Sequence, residues 1–280
     1  MPQTRPWEHS VGIGIETSFG VAAMPTAWIP GKSSLKKSPG IRDLDTPVNE
    51  WDVTRVTSEP TKVKGSLNLE IAPGREALLL SLLTRATRRT MTSCSVYDVL
   101  GDQDAFANYG VCVNTCGIKT AVGEDLLADL DVIGRERVRV AIPTPNFNVP
   151  PAPYVFEEML VSVQGSYEYH LEDIEISVDH KLKDDKYGSD CTGLLREIPS
   201  DGRVISVKLK HAYEHPELWD AAMSRTPLTA SLLFTRGAAY FGIAFPYLLI
   251  TEGDVEENEQ PLELKAMRTT AGEAIVFTRG

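Results

Sequence analysis

LEDIEISVDH, residues 171–180, alternates apolar and polar side chains without a break. Ile174, Ile176 and Val178 fall on one face, which is the period of a β-strand that buries one side. The polar positions on the other face are Asp173, Glu175, Ser177 and Asp179. We therefore expect a strand with one buried face and one acidic face exposed to water.

A second stretch, RVISVKLKH at residues 203–211, repeats this alternation with the opposite charge. Its polar positions include Lys208 and Lys210. Opposite charges that face each other across neighbouring strands stabilise pairing by a few tenths of a kcal/mol or more. The two stretches are therefore predicted to be neighbours in one sheet.

The rest of the chain also favours strands joined by turns. Residues 63–71 alternate and place Glu70 on the polar face, whereas residues 154–164 are expected to pair with 171–180. Short helices are predicted at residues 75–84 and 216–223. The predicted fold class is mainly β, an antiparallel β-sandwich or barrel-forming sheet with one or two short flanking helices.

The whole chain, residues 1–280, is predicted to form a single domain. Residues 11–25 are rich in small side chains, and residues 1–25 are interpreted as an N-terminal arm. Residues 32–60 are polar and punctuated by proline, which predicts a long loop. Residues 143–153, PTPNFNVPPAP, predict an extended crossover between two halves of one sandwich, although a linker between two domains would have the same composition.

Composition excludes several classes of function. The chain has 28 Lys and Arg against 39 Asp and Glu, a formal net charge of −11, which argues against a protein that neutralises a phosphate backbone. The longest apolar run, residues 238–250, contains Pro246 and is too short to span a bilayer. Polar residues interrupt the N-terminal region, so no secretory signal is predicted and the protein is expected to remain in a cytoplasm.

The sequence contains no recognisable catalytic or metal-binding motif. The four cysteines lack CxxC spacing, and reduced thiols are expected. His211 and His215 precede a helix without a third ligand, so neither a metal nor a cofactor is predicted. Enzymatic activity would require residues that converge from distant strands, and the protein is predicted not to be an enzyme.

Several segments together resemble the tail tube proteins of long-tailed bacteriophages. They are GIGIETSFGVAAMPTAWIP, KGSLNLEIAP followed by REALLLSLL, NYGVCVNTCGIKT followed by LLADLDVIGRE, and LEDIEISVDHKLKDDKYG with GRVISVKLK. The resemblance extends from about residue 12 to residue 250. It implies a β-sandwich with a flanking helix that assembles into hexameric rings, which stack into the hollow tail that conducts genome DNA.

The resemblance also implies where functional residues lie. Candidate lumen-facing residues are Glu70, Asp173, Glu175 and Asp179, whose carboxylates would repel DNA phosphates over about 8 to 10 Å. Candidate inter-ring residues in the loop 32–60 are Leu44, Trp51 and Val53. The implied partners are further copies of the chain, other tail proteins, and DNA that passes without tight binding. The implied location is the virion tail, assembled in the host cytoplasm, with no membrane partner.

Two alternatives remain open at this point. A ring-shaped adaptor or terminator that caps a tail would share much of this pattern. A β-sandwich module that binds carbohydrate is the other alternative, although the polar strand faces carry charges where sugar-binding modules present aromatic platforms. The chain is also longer than a small tube protein, which would correspond to surface decoration or lengthened loops.

Overall fold

The computed structural model describes residues 9–30, 33–43, 56–87, 89–101, 104–144, 152–164, 171–187, 194–212, 216–253, 259–268 and 273–280. The strands are β1 His9–Ile15, β2 Ala27–Pro30, β3 Lys36–Asp43, β4 Val56–Glu70, β5 Cys94–Leu100, β6 Asp104–Ala121, β7 Leu127–Gly134, β8 Glu136–Val140, β9 Met159–Val163, β10 Leu171–Asp179, β11 Val204–Ala212, β12 Leu228–Arg236, β13 Ala239–Gly253, β14 Glu259–Ala266 and β15 Val276–Arg279. The helices are α1 Glu76–Leu83 and α2 Pro216–Ser224, with a 3-10 turn at Phe156–Glu158. The mainly β, antiparallel prediction is confirmed.

Strand β6 organises the sheet, because four other strands pair with it. Its first half pairs with β5 on one edge and β8 on the other, and its second half pairs with β10 and β7. The change of partners occurs near Gly110, whose φ of +62° lies in the left-handed region that glycine adopts without strain. β6 therefore belongs to two regions of one sheet.

The larger region has the strand order β3-β4-β7-β6-β10-β11-β14-β13-β12-β9, and β15 also pairs with β13. The smaller region has the order β2-β1-β5-β6, with β8 on the far edge of β6. Pairing among the described strands does not close the sheet into a barrel. The apolar faces of both regions nevertheless contribute to one core, which contains residues as distant in sequence as Ile13, Ile118, Ile176 and Phe241.

A segment around Tyr154 connects the β9 end of the sheet to the β4–β7 end. The Tyr154 backbone N–H donates to Ile71 O at 2.9 Å, and Leu126 N–H donates to Tyr154 O at 2.7 Å. The buried Tyr154 hydroxyl donates to Glu76 Oε1 at 2.7 Å, at the start of α1. This segment satisfies backbone groups that the open sheet leaves unpaired near β4 and β7.

The predicted pairing of residues 171–180 with 203–211 is confirmed as β10–β11. Ile174, Ile176 and Val178 are all buried, and Asp173 and Glu175 are exposed. The register places Glu175 opposite Lys208 and Asp173 opposite Lys210. The expected pairing of residues 154–164 with 171–180 is wrong, because β9 pairs with β12, about seventy residues further along the chain.

Two predicted irregular segments contain strands. Residues 9–15 of the expected N-terminal arm form β1, which lies between β2 and β5 and has five consecutive buried residues. The expected loop 32–60 contains β3 and the beginning of β4, paired from Lys36↔Lys64 to Asp43↔Val56. In both cases backbone hydrogen bonding to a neighbouring strand outweighed a composition typical of loops. Of the expected crossover 143–153, the described residues 143–144 and 152–153 are outside any helix or strand.

Both predicted helices are present. α1 buries Leu79, Leu82 and Leu83 in the core, which accounts for its apolar sequence. α2 begins at Pro216, a residue suited to the first turn because its missing N–H needs no intrahelical partner, and it packs on β13. The helices therefore cover ends of the sheet where apolar side chains would otherwise meet water.

Candidate functional site

The acidic side of β10 lies in the middle of a mixed-charge surface. The register aligns one residue from each of four neighbouring strands, in the order Lys119, Glu175, Lys208 and Glu263. We define the charged face as the carboxylates Asp129, Asp173, Glu175, Asp179 and Glu263 with the lysines Lys119, Lys208 and Lys210. A shallow groove of about 530 Å³ runs across its β6–β14 part.

Ion pairs link the strands of the charged face. Lys208 Nζ lies 2.9 Å from Glu263 Oε1, and Lys119 pairs with Asp129 on β7. Lys210 Nζ lies 2.8 Å from Glu172 Oε2, at the beginning of β10. The sequence predicted Lys208 and Lys210 opposite the acids of β10. The structure adds a lysine from β6 and carboxylates from β7 and β14, so the charges of this surface alternate.

The two ends of β10 differ in how readily their carboxyl groups ionise. Asp173 is exposed as a residue, but partial desolvation of its carboxyl group raises its pKa; Lys210 opposes this effect, and repulsion from Glu172 and Glu175 adds to it. Burial would also raise the pKa of Asp179, but hydrogen bonds and charge from Lys181 outweigh it and lower the pKa. A hydrogen bond to Asp129 raises the pKa of Lys119. The charged state is therefore favoured at Asp179 and disfavoured at Asp173.

The candidate residues from the sequence are only partly brought together. Asp173, Glu175 and Asp179 share the outward side of β10. Glu70 is exposed on β4 and lies in the same cross-strand row as Glu175, separated from it by Leu127 and Lys119. Its carboxylate is 3.8 Å from the Arg75 guanidinium. Leu44, Trp51 and Val53 lie outside the described residues.

Sequence reasoning missed Lys119, Asp129 and Glu263. Each lies in an alternating stretch, with Ile118 and Thr120 buried beside Lys119, and Leu262 and Leu264 buried beside Glu263. The alternation could have identified their outward orientation. The register that sets them beside β10 could not be obtained from alternation alone.

His180, which ends the opening stretch, is buried without a partner for its ring. Its side chain is 0% exposed, and neither ring nitrogen has a hydrogen-bond partner among the described residues. Burial lowers the pKa of His180 to about 4, and the charges of Arg203 and Arg85 add to this effect while Asp179 opposes it. The imidazole is therefore neutral at physiological pH.

Acidification is expected to destabilise the fold through His180. The unfolded pKa is 6.5 and the folded pKa about 4, so the unfolded state binds a proton first as the pH falls. The contribution of the neutral ring is fully present above about pH 6.5 and is lost towards pH 4, amounting to about 3 kcal/mol. Urea unfolding at pH 7 and pH 4.5 measures the loss. His180→Met, which cannot titrate, should lose less stability than the wild type, and an equal loss would contradict this assignment.

The described part of the chain contains weakly acidic buried thiols and no cluster suited to a metal ion. Burial raises the pKa of Cys112 and of Cys116 to about 12, and that of Cys94 well above its usual value, so these thiols are poor nucleophiles. No group of three or more His, Cys, Asp or Glu side chains in the described ranges could hold a metal ion. Neither helix in those ranges is long and apolar enough to span a membrane.

Comparison with known proteins identifies a family over nearly the whole length. The family model described as Phage tail tube protein matches residues 7–274. The match includes every segment on which the sequence resemblance rests, so that resemblance is confirmed. No curated protein matches the chain.

Proposed function

The chain belongs to the phage tail tube protein family, and we propose that copies of it assemble into rings that stack to form the hollow tube of a tail. Membership makes it a structural component of the phage tail. The match over residues 7–274 carries the proposal, and the proposed role requires no catalysis. The proposed rings are hexameric, form in the host cytoplasm, and associate with other tail proteins.

The open sheet supports assembly through strand edges. Among the described strands, β2, β3, β8, β9 and β15 each pair on one side only. Unpaired edges present backbone N–H and C=O groups that a strand of a neighbouring subunit can satisfy. Sheets that join in this way around a ring leave no edge exposed, which favours a closed assembly.

We assign the charged face to the lumen of the tube. Fully ionised, its five carboxylates and three lysines leave a surplus of two negative charges per copy. That surplus is smaller than the charge of a surface with carboxylates and no lysines, but it repeats in every subunit of every ring. A negative lining repels phosphates over about a Debye length of 8 to 10 Å, so DNA would pass without adhering. Glu70 would extend this lining onto β4.

Contacts between rings are assigned to the segment 32–60. The pairing of β4 with β7 ends at Val63↔Gly134, whereas the pairing of β3 with β4 continues to Asp43↔Val56. The β3–β4 ribbon therefore extends past the last β4–β7 pair, which suits it to reach a neighbouring ring. Leu44, Trp51 and Val53, in the sequence between these two strands, are the proposed contact residues.

Negative-stain electron microscopy of the purified chain tests the assembly. Long hollow tubes are expected as the protein concentration is raised. Single rings that never stack would favour the adaptor or terminator alternative. A monomer at high concentration would contradict both hypotheses.

Charge reversal on β10 tests the lumen assignment. Phage particles carrying Asp173→Lys and Glu175→Lys are expected to assemble tails but to eject DNA at least several-fold more slowly, because cations on the lining attract phosphates. Asp179 is left unchanged because its carboxylate accepts the Lys181 N–H at 2.8 Å. Fluorescence of a DNA dye after triggered ejection gives the rate.

The matched control is Asp185→Lys with Glu197→Lys. It makes the same change in net charge at exposed positions outside the charged face. Ejection at the wild-type rate is expected for this control. Equal rates for both variants would show that the charged face does not line the channel.

A further inference from the structure

A basic groove lies at one end of the sheet, beyond the end of α1. Its charged lining consists of Arg85, Arg203, Arg268 and Glu273, and its volume is about 640 Å³. Leu80, Leu83, Ile275 and Phe277 form part of its apolar lining. We name it the arginine groove. Three guanidinium groups beside apolar surface are suited to bind an acidic peptide segment.

The arginine groove has a net positive charge. Arg203 Nη2 lies 2.8 Å from Glu273 Oε2, which neutralises one guanidinium. Arg85 and Arg268 are exposed, and neither forms an ion pair with another described residue. The neighbouring His180 contributes no charge at neutral pH, because its pKa is about 4. Two cations thus remain available to a ligand.

The segment that connects β13 to β14 is acidic in sequence, and it joins β14 at the end opposite to the arginine groove. Residues 252–259 read EGDVEENE, with five carboxylates and no basic residue. β13 ends at Gly253 and β14 begins at Glu259, which pairs with Ala212 at the end of β11. The arginine groove adjoins Ala266, at the other end of β14. We name residues 252–259 the acidic segment.

The strand ends that flank the acidic segment lie too far from the arginine groove for a contact within one chain. β14 spans eight residues, so its two ends are about 24 Å apart at ~3.4 Å per residue. The middle of the segment is three residues from either strand, a reach of about 10 Å at most. A contact between the two must therefore join two copies of the chain.

We propose that the arginine groove of one copy binds the acidic segment of a second copy. The proposal rests on the proposed self-assembly and names a surface and its partner within it. Because the groove adjoins one end of β14 and the acidic segment joins the chain at the other end, the contact is head to tail and leaves each copy with one unused surface. Each added copy then offers a free surface to the next copy, so the assembly can continue to grow, as the stacking of rings requires.

Paired charge reversals test this contact. Variant A carries Arg85→Glu and Arg268→Glu in the groove, and variant B carries Glu256→Arg and Glu257→Arg in the segment. Each alone is expected to raise the concentration needed for tube formation at least tenfold, because like charges then face each other. An equimolar mixture should recover assembly, since each groove then meets a segment of opposite charge.

Sedimentation velocity and electron microscopy measure assembly, and circular dichroism melting confirms that each variant folds. Lys186→Glu with Arg196→Glu is the matched control, because it removes two exposed cations outside the groove. Tubes from variant A at the wild-type concentration would overturn the groove contact while leaving tube formation intact. A mixture that fails to recover assembly, with both variants folded, would also overturn it. Wild-type protein that forms no oligomer would overturn the proposed function as well.

Discussion

Replacing Arg137 with alanine is expected to destabilise the fold by about 3 to 5 kcal/mol, because it leaves a buried carboxylate without its cationic partner. Asp98 is 5% exposed. Arg137 Nη1 lies 3.1 Å from Asp98 Oδ2, and Asn108 Nδ2 donates to the same oxygen at 3.0 Å. Ser33 donates to the other oxygen. Removing the guanidinium leaves the carboxylate desolvated with only neutral donors.

Two variants separate this effect from the loss of a surface charge. Arg137→Lys keeps the cation, but its shorter side chain cannot place a donor where Nη1 donates both to Asp98 Oδ2 and to Leu35 O, so an intermediate loss is expected. Arg139→Ala removes a guanidinium whose side chain is 71% exposed, and its pair with Asp104 contributes little. Urea denaturation gives the free energies of unfolding. Similar losses for Arg137→Ala and Arg139→Ala would contradict a buried ion pair.

The alternation in residues 171–180 was sufficient to predict β10, its buried face and its pairing with β11. The pairing could be predicted from the sequence because acids and lysines occupy matching positions on the two strands, as Glu175↔Lys208 shows. The other neighbour of β10 is β6, and β9 pairs with β12. Side-chain period determines which face is buried, whereas the choice of partner depends on which backbone edges meet in the folded chain.

The N-terminal strand shows why composition misled. Gly12 and Gly14 resemble the small residues of an arm, yet they lie in β1 where other groups approach closely. A Cβ at Gly14 would collide with the backbone oxygen of Met24, and one at Gly12 would lie 2.9 Å from the Trp28 ring. Glycine here permits close packing. Sequence alone does not distinguish that role from flexibility.

The candidate site, like the fold, could be predicted only in part from the sequence. Outward acids on β10 follow from alternation, and the sequence correctly indicated that lysines oppose them. The contributions of Lys119 and Glu263 depend on two more strand registers. The arginine groove combines the end of α1 with residues near the start of β11 and the end of β14, so no local sequence pattern could have revealed it.

Glu16→Ala is likewise expected to destabilise the protein by about 3 to 5 kcal/mol, because Glu16 is a buried carboxylate that accepts four hydrogen bonds. Its Oε2 accepts from Gly20 N–H at 2.8 Å and Ser93 Oγ at 2.7 Å. Its Oε1 accepts from Ser95 Oγ at 2.8 Å and Gly110 N–H at 2.9 Å. Through these hydrogen bonds, the carboxylate holds the segment that follows β1 against β5, and also against the position where β6 changes partners. Alanine leaves these donors unsatisfied.

Glu16→Gln is the informative comparison, because it keeps the shape and one acceptor oxygen. Its amide would face two donors, and Gly20 N–H cannot reverse its role, so a smaller loss of about 1 to 3 kcal/mol is expected. Glu124→Ala, at an exposed position, should change stability by no more than about 0.5 kcal/mol. Urea unfolding gives the three values, and hydrogen exchange at the Gly20 and Gly110 amides reports the local contacts. A loss below about 1 kcal/mol for Glu16→Ala would mean that the four hydrogen bonds do not fasten this segment, since unsatisfied buried donors cost more than that.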